Sequence, residues 1–151
     1  MAQSLSKLFI HIIYHIKTTS VEIRKEDKSD LYAYIAAIIK SKDSIPILIN
    51  GTEDHVHILC VMSKNISLAK LVEEIKGNSS RWIKTFRPYY KDFAWQGGYG
   101  GFSVSPSLYD KTKNYIEKQE EHHKKMTFQE EYRMFLQEYG IEYDEQYLWT
   151  D

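Results

Sequence analysis

The chain has 151 residues, 42% of them hydrophobic and 27% charged, with a formal net charge of −1 and one cysteine. That length suits a single domain with its own core, and no apolar run approaches the roughly 18 residues that a bilayer span needs. The lone cysteine excludes a disulfide framework, and the N-terminus lacks the charged-then-apolar order of a secretory signal, so one cytoplasmic domain over residues 1–151 is expected.

Residues 6–17, SKLFIHIIYHIK, alternate so that Leu8, Ile10, Ile12, Tyr14 and Ile16 share one face, the period of a strand. From 25 to 43, Leu31, Tyr34, Ile35, Ile38 and Ile39 recur at helical spacing, with acids near the start and lysines near the end. SIPILIN and DHVHILCVM, at 44–50 and 54–62, are β-rich runs joined through Gly51-Thr52, a hairpin signal. Residues 67–86 predict a second amphipathic helix with Ser67 as N-cap and Gly77 weakening its middle. AWQGGYGGFSVS, 94–105, predicts a glycine-rich loop running into a strand. A third helix is expected over 105–125, with Ser105 as cap and Pro106 in the first position. The fourth, over 127–140, starts at a Thr127/Glu130 capping box and stops at Gly140.

The order through residue 105 is β-α-β-β-α-β. It predicts an α+β fold of the ferredoxin-like, split-βαβ kind, an antiparallel sheet with helices on one face, followed by C-terminal helices. The third helix has little apolar content beyond Leu108, Tyr109, Tyr115 and Ile116. A polar helix of this kind leans on a partner subunit, a ligand or a site.

His55 and His57 flank Val56, so on a strand they stand side by side, with Val56, Ile58 and Cys60 on the other face. Alone, such a pair is either part of a metal site or a coincidence. On the third helix Tyr115 and Gln119 lie four residues apart, on one helical face. Taken with the histidine pair, His55, His57 and Gln119 would make an N,N,O ligand set for a hard divalent ion, one helical turn from Tyr115.

The blocks HVHILC, IKGNSSRWIK, WQGGYGGFSVSPS and YIEKQEEHH, in this order and spacing, resemble the single-tyrosine transposases of small bacterial insertion sequences, members of the HUH endonuclease superfamily. The similarity runs from IHIIYHIK to EYDEQYLW, nearly the whole chain. It implies that His55, Val56 and His57 form the HUH motif, that Gln119 is the third metal ligand and that Tyr115 is the nucleophile. It further implies binding to hairpins at the ends of single-stranded transposon DNA and metal-dependent cleavage beside them. The break would leave a 5′-phosphotyrosine and a free 3′-hydroxyl, and rejoining would reverse it. The C-terminal helices would carry the catalytic tyrosine. The resemblance also implies a homodimer in which the tyrosine helix of one subunit completes the histidine site of the other.

The chemistry suits these residue types. A phenol with a pKa of about 10 is ionised about one part in a thousand at neutral pH, and making the phenolate costs on the order of 4 kcal/mol. A divalent ion at the scissile phosphate offsets several kcal/mol of this, and an N/O site suits Mg²⁺, with Mn²⁺ able to substitute. The covalent intermediate conserves the phosphodiester energy, so no nucleotide cofactor is required, and no P-loop pattern is present.

Between 76 and 91 the chain carries Lys76, Arg81, Lys84, Arg87 and Lys91 with no acid, while 138–151 carries five acids and no base. Lys76, Arg81 and Lys84, with Ser79 and Ser80, are candidate DNA phosphate contacts; an exposed helix face is the other reading. Trp82, Trp95 and Tyr99 fit either base stacking or packing, and the glycines of 97–101 either a close DNA approach or loop flexibility. Asp54 fits an orienter of a histidine or a hairpin-end carboxylate. His122 and His123 fit a helix cap or a DNA contact, and His11 and Lys17 receive no role. A second function, from another class, is a domesticated or inactive binder of hairpins and single strands. Histidine-triad hydrolases require a third histidine where Leu59 stands, and two-histidine phosphoesterases require H-x-[ST] motifs that are absent.

Overall fold

Strands β1 (Leu8–His15) and β3 (His55–Met62) are buried along most of their length on both faces, because helices cover each side of the sheet they form. The structure, a computed structural model, describes residues 2–149. With β2 (Ile45–Gly51) and β4 (Gly100–Ser103) these strands make one antiparallel sheet in the order β2-β3-β1-β4. Helix α1 (Lys28–Ser41) connects β1 to β2, and α2 (Leu68–Phe86) connects β3 to β4. This is the ferredoxin-like order that the sequence predicts.

On one face, Ile12, Tyr14, Val56, Ile58 and Cys60 pack against Leu31, Ile35 and Ile39 of α1 and Leu71, Val72 and Ile75 of α2. Burying each such aliphatic side chain contributes about 1.5–3 kcal/mol, which makes this layer the main source of stability. The opposite face carries His11, Ile13, His15, His55, His57 and Leu59. There Ile13 and Phe102 meet Phe128, Tyr132 and Leu136 of α5 (Phe128–Glu138). Leu59 and Val104 meet Ile116 of α3 (Tyr109–Glu117). Short helices α4 (Gln119–His122) and α6 (Glu145–Leu148) complete the chain order.

Two of the predicted caps form. Ser67 Oγ accepts from Lys70 N at 3.1 Å, and Thr127 Oγ1 accepts from Glu130 N at 3.2 Å. Gly140 ends α5 with φ +64, a left-handed conformation open to glycine. Gly77 sits inside a continuous α2. A Cβ at Gly101 would lie 2.5 Å from Leu68 Cδ2, so that side-chain tip would have to shift; here the glycine-rich stretch permits a close approach of helix to strand.

The third helix departs from expectation at both ends. Residues 106–108 form a tight 3-10 turn, Ser105 Oγ faces Ser107 Oγ at 3.0 Å instead of capping, and α3 proper begins at Tyr109. At Lys118 (φ −101, ψ 27) the helix breaks, and α4 starts at Gln119. The cause lies on β2: Asn50 Nδ2 donates to Ile116 O at 2.8 Å and to Glu117 O at 3.2 Å. A side chain from the sheet thus takes up carbonyls that a longer helix would have used itself.

Candidate active site

Antiparallel pairing sets His15 opposite His55 and Ile13 opposite His57, so the histidines of β1 and β3 share the face that α3, α4 and α5 cover. Each ring of the pair is held through Nδ1. His55 Nδ1 lies 2.7 Å from Asp54 Oδ1 and 2.9 Å from Thr52 Oγ1, and His57 Nδ1 lies 2.8 Å from His11 Nε2. Both Nε2 atoms therefore face a common space, and Glu131 fills it from α5. Its Oε1 is 2.9 Å from His57 Nε2, 3.0 Å from His123 Nε2 and 3.5 Å from His55 Nε2. Glu131 Oε2 accepts from the Tyr115 hydroxyl and, at 3.3 Å, from Gln119 Nε2. Gln119 Oε1 lies 3.1 Å from His55 Nε2. The Tyr115 ring stacks on His122 at 4.3 Å between centroids and meets Phe135 nearly edge-on.

The electrostatics follow from burial and from that single carboxylate. Burial works against a charged His55, yet Asp54 and Glu131 prevail and raise it to about 9. His57 is pushed down to about 4, chiefly by burial, and stays neutral. Burial also lowers His11 well below the ordinary histidine value. Glu131 resists the upward push of burial because His123, His55 and His57 donate to it, and it lies well below the usual carboxylate range. Burial first, and then the Glu131 charge, push the Tyr115 phenol far up. In this arrangement Tyr115 is firmly a phenol.

The donor set fits a divalent cation. Ligand atoms of His55, His57, His123 and Glu131 lie within 4.8 Å of one another. Imidazoles whose outer nitrogens are tied to a carboxylate, a hydroxyl and another ring have the fixed orientation that metal ligands show. The predicted residues His55, His57, Gln119 and Tyr115 all meet here, within one chain. Asp54 occupies the orienting position behind His55 and His11 the one behind His57. His123 stands at the C-terminal end of α4, where its backbone N–H donates to Gln119 O, and its ring faces Glu131.

Glu131 was not visible as a site residue, although the sequence carries one signal. Phe128, Tyr132, Phe135 and Leu136 form the apolar stripe of α5, and Glu131 stands in that stripe, fully buried.

Lys76, Arg81 and Lys84 are not brought to this site: they lie on α2, across the sheet from the histidines. Lys76 Nζ is half-buried, donates to Gln96 O at 2.9 Å and to Gly98 O, and sits 4.8 Å from the Tyr14 ring centroid. Burial lowers it to about 8. Arg81 and Lys84 are exposed, with Arg81 donating to Asn78 Oδ1 at 2.7 Å. Trp95 is buried and donates to Ser79 Oγ at 3.0 Å, and Trp82 stacks between Tyr34 and Phe86; both serve packing. Cys60 is buried, and no helix among the described residues is long and apolar enough to cross a membrane.

A family model described as IS200-like transposase matches residues 4–119. Among solved structures, a candidate transposase from Deinococcus radiodurans is similar with a TM-score of 0.61 and 21% identity, over 79% of this chain and 98% of that one. A REP-associated tyrosine transposase bound to a REP hairpin is similar with a TM-score of 0.60 and 12% identity, over 82% of this chain and 74% of that one. At these identities the likeness is one of fold. No curated protein matches the chain significantly.

Proposed function

Because this chain belongs to the IS200-like transposase family, we propose that it is a DNA strand transferase acting in the cytoplasm, which cuts single-stranded DNA beside a hairpin and rejoins it through Tyr115. The observation that carries this reading is the convergence of the Tyr115 hydroxyl, His55, His57 and Gln119 on the buried carboxylate of Glu131.

In the reaction, Tyr115 Oη attacks the phosphorus and the bond from phosphorus to the 3′-oxygen breaks. Glu131 orients the hydroxyl by accepting its hydrogen bond, and the phenolic proton is handed on to the departing 3′-oxygen, so the net yield is a 5′-phosphotyrosine and a free 3′-hydroxyl. Attack by a 3′-hydroxyl on the phosphotyrosine reverses each bond and restores the phenol. His55, His57 and Gln119, with Glu131 and His123 beside them, are the residues that would hold Mg²⁺, or Mn²⁺ in its place. When bound, such an ion supplies positive charge that polarises a phosphoryl oxygen. Asp54, Thr52 and His11 keep the imidazoles aimed.

The hairpin carried by the REP-associated relative supports the same partner class here. Arg81 and Lys84, with Lys76 on the same helix, are our candidates for phosphate contacts with the stem, on the layer opposite Tyr115. A homodimer is part of the proposal: α3 buries only Ile116, which suits a helix able to pass to a partner copy. Light scattering should report twice the chain mass, and an active monomer would remove the exchange of α3.

The decisive experiment incubates the protein with single-stranded DNA from both flanks of its gene and Mg²⁺. A covalent adduct on a denaturing gel, absent in Tyr115→Phe, is expected. An adduct that persists in the variant removes the nucleophile assignment.

A further inference from the structure

Tyr115 also borders a second space, on the side away from His55. A cleft of about 280 Å³ opens there, lined by His11, Leu108, Tyr115, Met134, Phe135 and Tyr139. Three of these are unusually bare for apolar side chains: Leu108 is 45% exposed, Tyr139 42% and Met134 36%. Solvated apolar surface converging on one cleft marks a binding site more often than an accident.

The walls are held in advance. Phe135 stacks on Phe102 at 5.5 Å between centroids, and Tyr139 packs on Phe102 at 4.8 Å. Tyr139 Oη donates to Ser103 O at 2.7 Å, so the ring cannot fold away from the opening. A planar ligand would meet this aromatic wall without having to order it. On the rim, exposed Lys111 stands one helical turn before Tyr115 on the same face of α3, and Glu138 also reaches the cleft. An apolar cleft with one aromatic wall, and a cation beside the nucleophile, matches a nucleotide whose base enters and whose phosphate stays outside. The volume falls near the lower end for ligand pockets, about 300 Å³, which admits one base and excludes a duplex.

We propose that this cleft takes a single unpaired nucleobase of the DNA strand next to the scissile phosphate, between Leu108 at the start of α3 and the side chains of Met134, Phe135 and Tyr139 that α5 and its end supply, with Lys111 on the adjoining phosphate. The proposal rests on the reading of Tyr115 as the group that attacks DNA. It adds a site that selects and aligns the strand at the point of attack. Glu138 is placed to accept from an exocyclic amine, which would favour bases that carry one.

The test measures binding alone, so that a failure of cleavage does not obscure it. A thymidine oligonucleotide bearing one 2-aminopurine is titrated with the full chain in the presence of a chelator, and stacking is read as loss of fluorescence. We expect quenching by the wild type and by Tyr139→Phe, which keeps the ring. In Tyr139→Ser and Leu108→Ser the quenching should be lost and binding should weaken on the order of tenfold, the scale of one stacked base. Circular dichroism confirms folding, and Leu108→Ser carries the test if Tyr139→Ser is unfolded. Equal quenching by the serine variants and the wild type would overturn the proposal. So would a dimer, seen by sedimentation, that both serine variants dissociate, since the cleft would then be a contact between copies of the chain.

Discussion

Replacing Glu131 by Gln probes the centre of the site, because the amide keeps the shape and removes the charge. The carboxylate is fully buried, with one oxygen 2.9 Å from His57 Nε2 and 3.0 Å from His123 Nε2, and the other on Tyr115 and Gln119. In the metal-free protein, Glu131→Gln leaves a protonated His55 with Asp54 as its remaining counter-charge. Breaking a buried ionic cluster by removing one member typically destabilises by about 3–5 kcal/mol. For a chain of this size each kcal/mol is worth about 2–4 °C, so the melting temperature should fall by about 10 °C. The same change removes a charged donor from the proposed cation seat. Even the outer partners of metal ligands alter affinity about 10–100-fold, so Mn²⁺ binding measured by calorimetry should weaken at least that much. Differential scanning calorimetry and Mn²⁺ titration read the two effects independently. A variant with the melting temperature and Mn²⁺ affinity of the wild type would refute the central role given to Glu131.

Two further outcomes are expected. Without metal, stability should peak near pH 6.5. His55, raised from 6.5 to about 9 despite burial, contributes stability that is whole below about pH 6.5 and lost as pH rises through about 9, on the order of 3 kcal/mol. His57, lowered to about 4 mainly by burial, makes the unfolded chain bind more protons as pH falls below about 6.5, so stability drops on that side as well. Urea unfolding across this range checks the shape, and a flat profile would contradict both assignments. Asn50→Ala, which removes the bonds to Ile116 O and Glu117 O, should destabilise by about 1–2 kcal/mol and slow adduct formation as the end of α3 loosens. An unchanged adduct rate would mean that this contact does not position Tyr115.

Local pattern carried the sequence reading as far as the element order and the histidine pair. Apolar periodicity marks β1, α1, β3 and α2, and the H-x-H spacing needs only the alternation of a strand to place both rings on one face. Tyr115 and Gln119 came through the resemblance, since nothing local separates Tyr115 from the other tyrosines. What escaped depends on contacts distant in sequence. Glu131 reads as one more acid beside Glu130 until α5 is folded onto the sheet, where it meets histidines more than seventy positions away. The break at Lys118 arises from Asn50, on a strand that the helical pattern knows nothing about. Lys76 reads as part of a solvated basic face, but Tyr14 and the carbonyls of Gln96 and Gly98 draw it inward. Ser105 had the right residue type for a cap but formed a hydroxyl pair with Ser107.

The imidazoles lie on the sheet, whereas the phenol, the amide and the central carboxylate lie on helices that follow it in the chain. A ribosome therefore delivers the two halves at different times. Residues up to Ser103 can already close the large core between the sheet and α1–α2, leaving His55 and His57 facing water. Only when α5 has emerged does Glu131 reach them and does Tyr115 gain its acceptor. The nascent chain can thus bury its larger core before its histidine cluster is complete, because Glu131 and the Tyr115 contact arrive only with the helices that follow the sheet.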